Sequence, residues 1–265
     1  MSKTAKVIII ILCIIFLAVF IFSGWKLFSI LNEYKVARNS YSDMSDTFVT
    51  SDSKKPLSTE EGGSENADEK EEEYLPITVD FDALLKESEE VTGWIYCEDT
   101  VINYPIAQGE DNNQYLHHLL NGDYNASGTL FMDCECAPNF AGANSIIYGH
   151  NMKDGSMFHS LLNYRDQEYY DAHPVLYLST PAQDYKVEIF TAYTCSYDSD
   201  TYMLSFANED DYGAYLEKMK SQSDFDCDVE VDTTERVLTL STCTYEYDNA
   251  RYVVQGKLVP LERKA

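Results

Sequence analysis

The stretch "VLTLSTCTYEYDNARYVVQGKLV" runs from residue 237 to residue 259 and carries two alternating segments on either side of a short polar one. Alternation with a period of two residues is typical of β-strands, so 237–243 and 251–257 are predicted to be strands. Seven residues connect them (244–250), a link short enough to favour an antiparallel hairpin. The hairpin would bring Cys243, at the end of its first strand, close to Arg251, at the start of its second.

Upstream of this hairpin, six further stretches have the β-branched and aromatic content of strands. They are TGWIYC (92–97), TVINYPI (100–106), GTLFMD (128–133), SIIYG (145–149), VLYLST (175–180) and YKVEIFTAYTCSY (185–197). Helices are predicted at 80–91, where Asp80 can serve as the N-cap, and at 208–221. Many short strands separated by turn residues indicate a mainly β domain, either a closed barrel or a sandwich.

The N-terminal region has a different character. Val7–Trp25 contains no charged residue, and as a helix it would extend for about 28 Å, close to the hydrocarbon thickness of a bilayer. Trp25 stands where an interfacial aromatic would, and no small-residue cleavage site follows it. We therefore predict a single transmembrane helix rather than a cleaved signal peptide. Positive charges flank the run on both sides, so the positive-inside rule barely decides its orientation.

A linker separates this helix from the predicted β domain. Residues 26–45 carry apolar side chains at near-helical spacing and are predicted to continue the membrane helix. Residues 51–74, "SDSKKPLSTEEGGSENADEKEEEY", almost lack large apolar side chains and are predicted to be a flexible acidic linker. The organisation is therefore an anchor at 7–25, a juxtamembrane helix and linker at 26–75, and one folded domain at 76–262.

The charge of the chain excludes one class of partner. The formal net charge is −26 at pH 7 and the isoelectric point is about 4.3. Nucleic acids and anionic membrane surfaces are also negative, so electrostatic attraction to either is excluded. No nucleic-acid partner is expected.

The pair of side chains at the hairpin suggests a chemistry. A cysteine is a strong nucleophile as thiolate, and an arginine is a permanent cation that can donate two hydrogen bonds to a developing oxyanion. Such a site also needs an acid or base, normally a histidine. The sequence offers five: His117, His118, His150, His159 and His173. His150 is favoured because it lies on a loop directly after a predicted strand. Two alternatives remain: Cys243 could be a buried structural cysteine, and Arg251 could be an ordinary surface charge.

The motif "TLSTC" (239–243), with Arg251 after it and "YGHNM" (148–152) far upstream, resembles the sortase family of Gram-positive cell-surface transpeptidases, and within it class B. The resemblance extends over residues 80–258. It includes a helix before the first strand and a helix before the final hairpin, which class B members have and class A members lack. The resemblance implies an eight-stranded sortase-type β-barrel with peripheral helices.

The resemblance also implies an activity. Cys243 would attack the carbonyl after Thr in a C-terminal sorting signal of the LPxTG, NPxTN or SPxTG type and form a thioester. Arg251 and the backbone N–H of Thr244 would hold the oxyanion, and His150 would protonate the leaving amine. An amine of the cell-wall precursor, on lipid II or a peptidoglycan stem, or a pilin lysine in pilus-building members, would then release the product. No cofactor and no metal are implied.

Further positions match those that line the substrate groove in this family. They are Asn112, Leu116, Tyr148, Tyr202, Ser241, Thr242 and Thr244. One departure is the loop after Cys243, which is short and begins Thr-Tyr where some relatives carry Glu-Asp. An acidic contribution from the start of that loop is therefore in doubt.

The family resemblance settles the orientation that charge leaves open. It implies a cytoplasmic tail at residues 1–6, a single-pass anchor in the cell membrane, and an extracellular catalytic domain at 76–262. The partners implied are surface proteins that bear a sorting signal, the cell-wall precursor, and the membrane itself through the N-terminal helix.

Two other classes of protein remain as alternatives. An exported Cys/His cell-wall peptidase would use similar chemistry, but in its commonest folds the cysteine precedes the histidine, whereas here His150 precedes Cys243. A non-catalytic surface-binding module would leave Cys243 chemically ordinary. The remaining exported cysteines invite disulfides, yet the family fold needs none, and "CEC" at 134–136 lacks the second ligand pair of a zinc site.

Overall fold

The computed structural model describes residues 2–51 and 74–263. Helices α1–α4 span Lys3–Phe48, Phe81–Glu87, Gln167–Ala172 and Glu209–Lys220. Strands β1–β10 span Val49–Ser51, Ile77–Val79, Val91–Tyr96, Asn103–Ala107, Leu130–Met132, Asn144–Tyr148, Val175–Ser179, Asp184–Ser196, Val237–Cys243 and Ala250–Leu261. Most of the predicted acidic linker, residues 52–73, lies outside the described residues.

Strands β3 to β10 form a closed barrel, which confirms the predicted eight-stranded architecture. Around the barrel the order is β10-β8-β7-β3-β4-β5-β6-β9. The pairs β4–β5 and β6–β9 are parallel, and the other neighbours are antiparallel. Closure leaves no free sheet edge in the barrel, and it brings the C-terminal ends of β6 and β9 side by side.

The hairpin β9–β10 forms in the register that the sequence predicts. Arg251 lies directly opposite Cys243, and the pairing continues to Lys257 opposite Val237. Asn249 adopts a left-handed conformation (φ 63°) in the connection, which asparagine tolerates better than most residues. Cys243 and Arg251 are therefore a directly opposed cross-strand pair.

Both faces of β9 are buried, so its polar residues need internal partners. The Thr239 hydroxyl donates to the Asn144 side-chain oxygen (2.7 Å), and the Gln255 amide donates to Thr239 Oγ1 and to the Tyr215 hydroxyl (both 2.8 Å). All four side chains are buried. Because a buried polar group without a partner costs about 1–3 kcal/mol, this network fixes β6, β9 and β10 relative to α4.

Helix α4 closes this side of the barrel. Asn208 caps it by accepting from the Asp211 N–H (2.9 Å), and acidic residues fill its first turn while Lys218 and Lys220 occupy its last. Its buried face carries Tyr212, Tyr215, Leu216 and Met219. The helix predicted at 208–221 is confirmed. The helix predicted at 80–91 is shorter than expected: it spans Phe81–Glu87, because Val91 already begins β3. Asp80 caps it as predicted, its carboxylate accepting from the Ala83 N–H (2.9 Å).

Helix α1 continues without a break from the apolar run into the juxtamembrane segment, as predicted for residues 26–45. Its N-terminal half is exposed, and among the described helices it is the one long and apolar enough to cross a membrane. Its C-terminal half packs on the barrel, where Ala37 and Tyr41 are buried. The chain then pairs β1 with β2, a contact that the sequence analysis did not predict.

Candidate active site

A cleft of about 470 Å³ opens where β6, β9 and β10 meet the segment that precedes β5. It is lined by Asn112, Asn113, Leu116, Thr129, Phe131, Tyr148, Gly149, His150, Tyr197, Tyr202, Ser241, Thr242, Cys243 and Arg251. Nine of the ten residues proposed from sequence for the site are in this lining, Thr244 being the exception. The cleft therefore unites residues that are more than 130 positions apart in the chain.

Cys243 and Arg251 stand at the mouth of the β9–β10 hairpin, and both are partly buried. Their Cα positions are paired across the ladder. The Arg251 Nη1 donates to the Ala250 carbonyl (3.1 Å), which holds the guanidinium against the start of β10. A planar cation held in this way keeps other N–H groups for a ligand in the cleft.

The loop after β6 carries His150 and is bonded to the end of β9. The Gly149 N–H donates to the Ser241 carbonyl (3.1 Å), and the Thr242 hydroxyl donates to the Gly149 carbonyl (2.8 Å). A side chain at position 149 would collide with Leu130. Close packing therefore requires glycine at position 149. Because the backbone at Gly149 is fixed in this way, the next residue, His150, lies in the cleft.

The His150 imidazole is oriented by a backbone carbonyl. Its Nε2 lies 2.7 Å from the Leu116 oxygen. A carbonyl only accepts, so Nε2 carries the hydrogen, and Nδ1 is the nitrogen that can take up a proton. Burial lowers the pKa of His150 below its usual value, although the Leu116 carbonyl acts in the opposite direction; the His117 ring, stacked at 5.8 Å, lowers it further. The ring is therefore mainly neutral at pH 7.

One wall of the cleft is organised around Asp133, a buried carboxylate that the sequence analysis missed. The Asn112 amide and the Tyr148 hydroxyl both donate to its Oδ2 (2.9 Å each). Asn112 in turn accepts from the Cys134 N–H (2.8 Å). Burial, reinforced by the Asp133 carboxylate, raises the pKa of Tyr148, so its hydroxyl stays protonated at neutral pH. The wall presents fixed polar groups and an aromatic face.

A second aromatic side chain extends this face. The Tyr202 ring is stacked near the Tyr148 ring, with 6.3 Å between centroids, and the Tyr202 hydroxyl is 2.9 Å from Ser241 Oγ. Such paired rings offer a rigid apolar surface with polar tips. Tyr197 adds an exposed ring to the lining. Tyr197 was not predicted to belong to the site. The structure brings it there because Cys195, near the end of β8, is paired with Arg251 at the same edge of the barrel.

Thr244 is placed differently from the expectation. Its backbone N–H donates to the Ala250 carbonyl (3.2 Å), and its hydroxyl accepts from Arg165 Nη2 (3.2 Å). Arg165 also forms an ion pair with Glu246 and lies over the Tyr252 ring at 4.8 Å. The loop after Cys243 is thus fixed by a cation, and its acidic residue, Glu246, is engaged with that cation.

The seven cysteines, all within the described part of the chain, are free thiols. Cys134 and Cys136 lie in the turn after β5. Burial raises the pKa of Cys97 and of Cys136 to about 11, so both are neutral thiols at pH 7. Across residues 2–51 and 74–263, no group of three His, Cys, Asp or Glu side chains is placed to hold a metal ion.

Comparisons with known proteins agree with this geometry. Residues 95–259 match the model of the sortase domain family. Sortase B of Listeria monocytogenes is 36% identical over 250 residues, covering 94% of this chain and 95% of that protein. The structure of the Staphylococcus aureus sortase B–substrate complex is similar with a TM-score of 0.66 at 31% identity, covering 69% of this chain and 85% of that one. Sortase B from Bacillus anthracis in complex with AAEK1 is similar with a TM-score of 0.71 at 31% identity, covering 87% and 100%.

Proposed function

This chain belongs to the sortase family of cysteine transpeptidases, in its class B branch, and from that premise we propose that it cleaves a C-terminal sorting signal of the LPxTG, NPxTN or SPxTG type after Thr. Cys243 is the nucleophile, His150 the acid and base, and Arg251 the oxyanion donor. The observation that carries these roles is that the three side chains line one cleft at the ends of β6 and β9 and the start of β10.

The chemistry follows from the protonation states. The neutral His150 takes the thiol proton on Nδ1 as Cys243 Sγ attacks the carbonyl carbon. The carbonyl oxygen gains negative charge, which the Arg251 guanidinium stabilises. Collapse of this tetrahedral intermediate forms the thioester and breaks the C–N bond, and the imidazolium returns its proton to the leaving amine. A second amine then attacks the thioester: a new C–N bond forms, the C–S bond breaks, and His150 passes the proton of the amine to the sulfur, which regenerates the thiol.

The shape of the cleft suits an extended peptide. Leu116 and Phe131 contribute apolar surface, and the stacked rings of Tyr148 and Tyr202 give a flat aromatic wall. Asn112, fixed on Asp133, supplies an amide for a polar group of the peptide. The similarity to a sortase B structure that contains a substrate supports a sorting-signal peptide as the ligand of this cleft.

We further propose that the amine acceptor belongs to the cell-wall precursor and that the enzyme works outside the cell. Val7–Trp25 of helix α1 is the anchor, with residues 1–6 in the cytoplasm and residues 76–262 outside. Protease added to intact protoplasts should then remove the catalytic domain. Full protection of that domain would contradict this topology.

The test of the reaction uses the full-length protein in detergent with a panel of fluorogenic sorting peptides, with and without a peptide amine. Cys243→Ala should abolish cleavage, and the control Cys134→Ala, a partly exposed thiol in a turn, should retain it. Without an amine, the wild type should gain the mass of one acyl fragment at Cys243. Turnover by Cys243→Ala would refute the mechanism. Transfer to a pilin lysine in preference to a wall-peptide amine would instead identify a pilus-building enzyme.

A further inference from the structure

Asn151, the residue after His150, connects the histidine loop to the nucleophile strand. Its Nδ2 donates to the Cys243 carbonyl (2.9 Å), and its Oδ1 lies 2.7 Å from His159 Nδ1. The Cys243 carbonyl can only accept, so the amide must direct its nitrogen to that carbonyl and its oxygen to His159. His159 Nδ1 therefore carries the hydrogen and donates a hydrogen bond to Asn151 Oδ1.

The strand register explains why a side chain is used at this point. Strands β6 and β9 are parallel and aligned up to Tyr148 opposite Ser241, so His150 falls level with Cys243. In a parallel ladder that continued further, the backbone N–H of Asn151 would donate to the Cys243 carbonyl. Here the ladder ends, and the Asn151 side chain makes that hydrogen bond instead.

The replacement has a geometric effect. Adjacent strands in a ladder lie about 4.8 Å apart, so a ladder that continued through residue 151 would fix the backbones of the two strand ends at that separation. A side-chain amide is longer than a backbone N–H, so the Asn151 hydrogen bond joins the two strand ends without imposing the ladder spacing on them. One step earlier the backbone bond from the Gly149 N–H to the Ser241 carbonyl is still present (3.1 Å), and the Thr242 hydroxyl adds a side-chain bond to the Gly149 carbonyl (2.8 Å).

We propose that Asn151 is a positioning residue that sets the separation between the His150 imidazole and the Cys243 thiol, and that His159 holds its amide in the donating orientation. Neither side chain needs to touch the substrate. The inference rests on the proposed roles of His150 and Cys243. It assigns a function to His159, a histidine that the reaction itself does not use.

The first experiment measures the single-turnover rate of acyl-enzyme formation by the full-length protein with the peptide that the wild type cleaves. Asn151→Ala should lower this rate by about 10- to 100-fold with little change in KM, because a shift of about 1 Å in catalytic groups costs up to about 100-fold. Asn151→Gln keeps the donor and should recover part of the loss. His159→Leu should lower the rate by less than Asn151→Ala does.

The double variant distinguishes positioning from a general structural role. If His159 acts only through Asn151, His159→Leu should have no further effect when Asn151 is already alanine. The matched control is Ser156→Ala in the same loop, whose hydroxyl bonds Asp154 (2.6 Å) and which should keep the wild-type rate. Two results would overturn the proposal. One is a double variant whose loss equals the losses of Asn151→Ala and His159→Leu combined. The other is a rate of Asn151→Ala that equals the wild-type rate once both are corrected for the fraction of folded protein.

A second readout keeps this test separate from that of the proposed function. The rate at which iodoacetamide alkylates Cys243, followed by peptide mass mapping, needs no peptide substrate. Asn151→Ala should change this rate severalfold, because the imidazole no longer lies at its set distance from the thiol. An unchanged alkylation rate would overturn the positioning role, whereas a failure of every peptide to react would count against the proposed substrate alone.

Discussion

Replacing Gly149 with alanine tests whether close packing places His150. A Cβ at this position would lie 2.4 Å from Leu130 Cδ2 and 2.5 Å from Phe158 Cδ2. Both neighbouring side chains are fully buried, so neither can rotate into solvent. Because carbon atoms in contact lie about 3.5–4.0 Å apart, a gap of about 1 Å has to open. Overpacking of this kind costs about 1–3 kcal/mol.

The strain should appear in both stability and activity. For a domain of this size, each kcal/mol corresponds to about 2–4 °C, so the melting temperature of Gly149→Ala should fall by about 2–12 °C. Because His150 is the next residue, the same shift should move the imidazole by a large fraction of 1 Å. We expect kcat to fall by about 10- to 100-fold while KM changes little.

The assay is steady-state cleavage together with thermal unfolding, both on the full-length protein in detergent. Gly213→Ala is the matched control. In α4 the added Cβ has Thr233 Cγ2 as its nearest neighbour at 3.5 Å, an ordinary contact. Alanine in a helix is favoured over glycine by about 0.5–1 kcal/mol, so the control should gain stability and keep its activity. Wild-type stability and kcat in Gly149→Ala would refute the packing argument.

Three further predictions concern other parts of the site. Arg251→Ala should lower kcat and kcat/KM together by about two to three decades, and Arg251→Lys should recover part of that loss, as measured by steady-state kinetics. Because burial lowers the pKa of His150, its neutral form is favoured in the folded protein, so stability should fall as pH drops below about 6.5. The melting temperature should therefore decline more steeply between pH 7 and pH 5 in the wild type than in His150→Gln. Tyr41→Phe removes the hydroxyl that donates to the buried Gly128 carbonyl and should lower the free energy of unfolding by about 1–3 kcal/mol in urea denaturation.

Each of these has a contrary result. A folded Arg251→Ala protein with unchanged kcat would place Arg251 outside the reaction. Parallel pH profiles of the wild type and His150→Gln would show that burial of the imidazole does not contribute to the pH dependence of stability. The control for Tyr41 is Tyr124→Phe, whose side chain is largely exposed; equal effects of the two substitutions would contradict a specific role for the buried hydroxyl.

The local pattern of the sequence was sufficient to predict the two strands that carry the proposed nucleophile and oxyanion donor. Alternation in β9 and β10 and a short connection predicted the juxtaposition of Cys243 and Arg251, because the geometry of a hairpin follows from its own residues. The position of His150 depended on the resemblance to a family, since the parallel pairing of β6 with β9 joins segments about 90 residues apart.

What could not be predicted are contacts that depend on the closed barrel. Asp133 follows an unremarkable strand, and only the folded chain shows that it accepts hydrogen bonds from Asn112 and Tyr148. The docking of Tyr41 on Gly128 joins a predicted juxtamembrane helix to the cleft segment, and no periodicity encodes it. Thr244 was expected near the oxyanion, but its backbone N–H bonds the Ala250 carbonyl, a partner that the loop conformation decides.

The unbroken helix α1 limits how far the enzyme can reach. The Glu33 carbonyl, which accepts from the Asn125 amide (3.1 Å), lies eight residues beyond Trp25, or about 12 Å along the helix axis. With Val7–Trp25 seated in a bilayer as proposed, the catalytic domain would stand just above the lipid headgroups on a short, stiff stalk. An acceptor that is itself tethered to the membrane would share this thin layer with the cleft, whereas amines deep in an assembled wall would lie beyond its range.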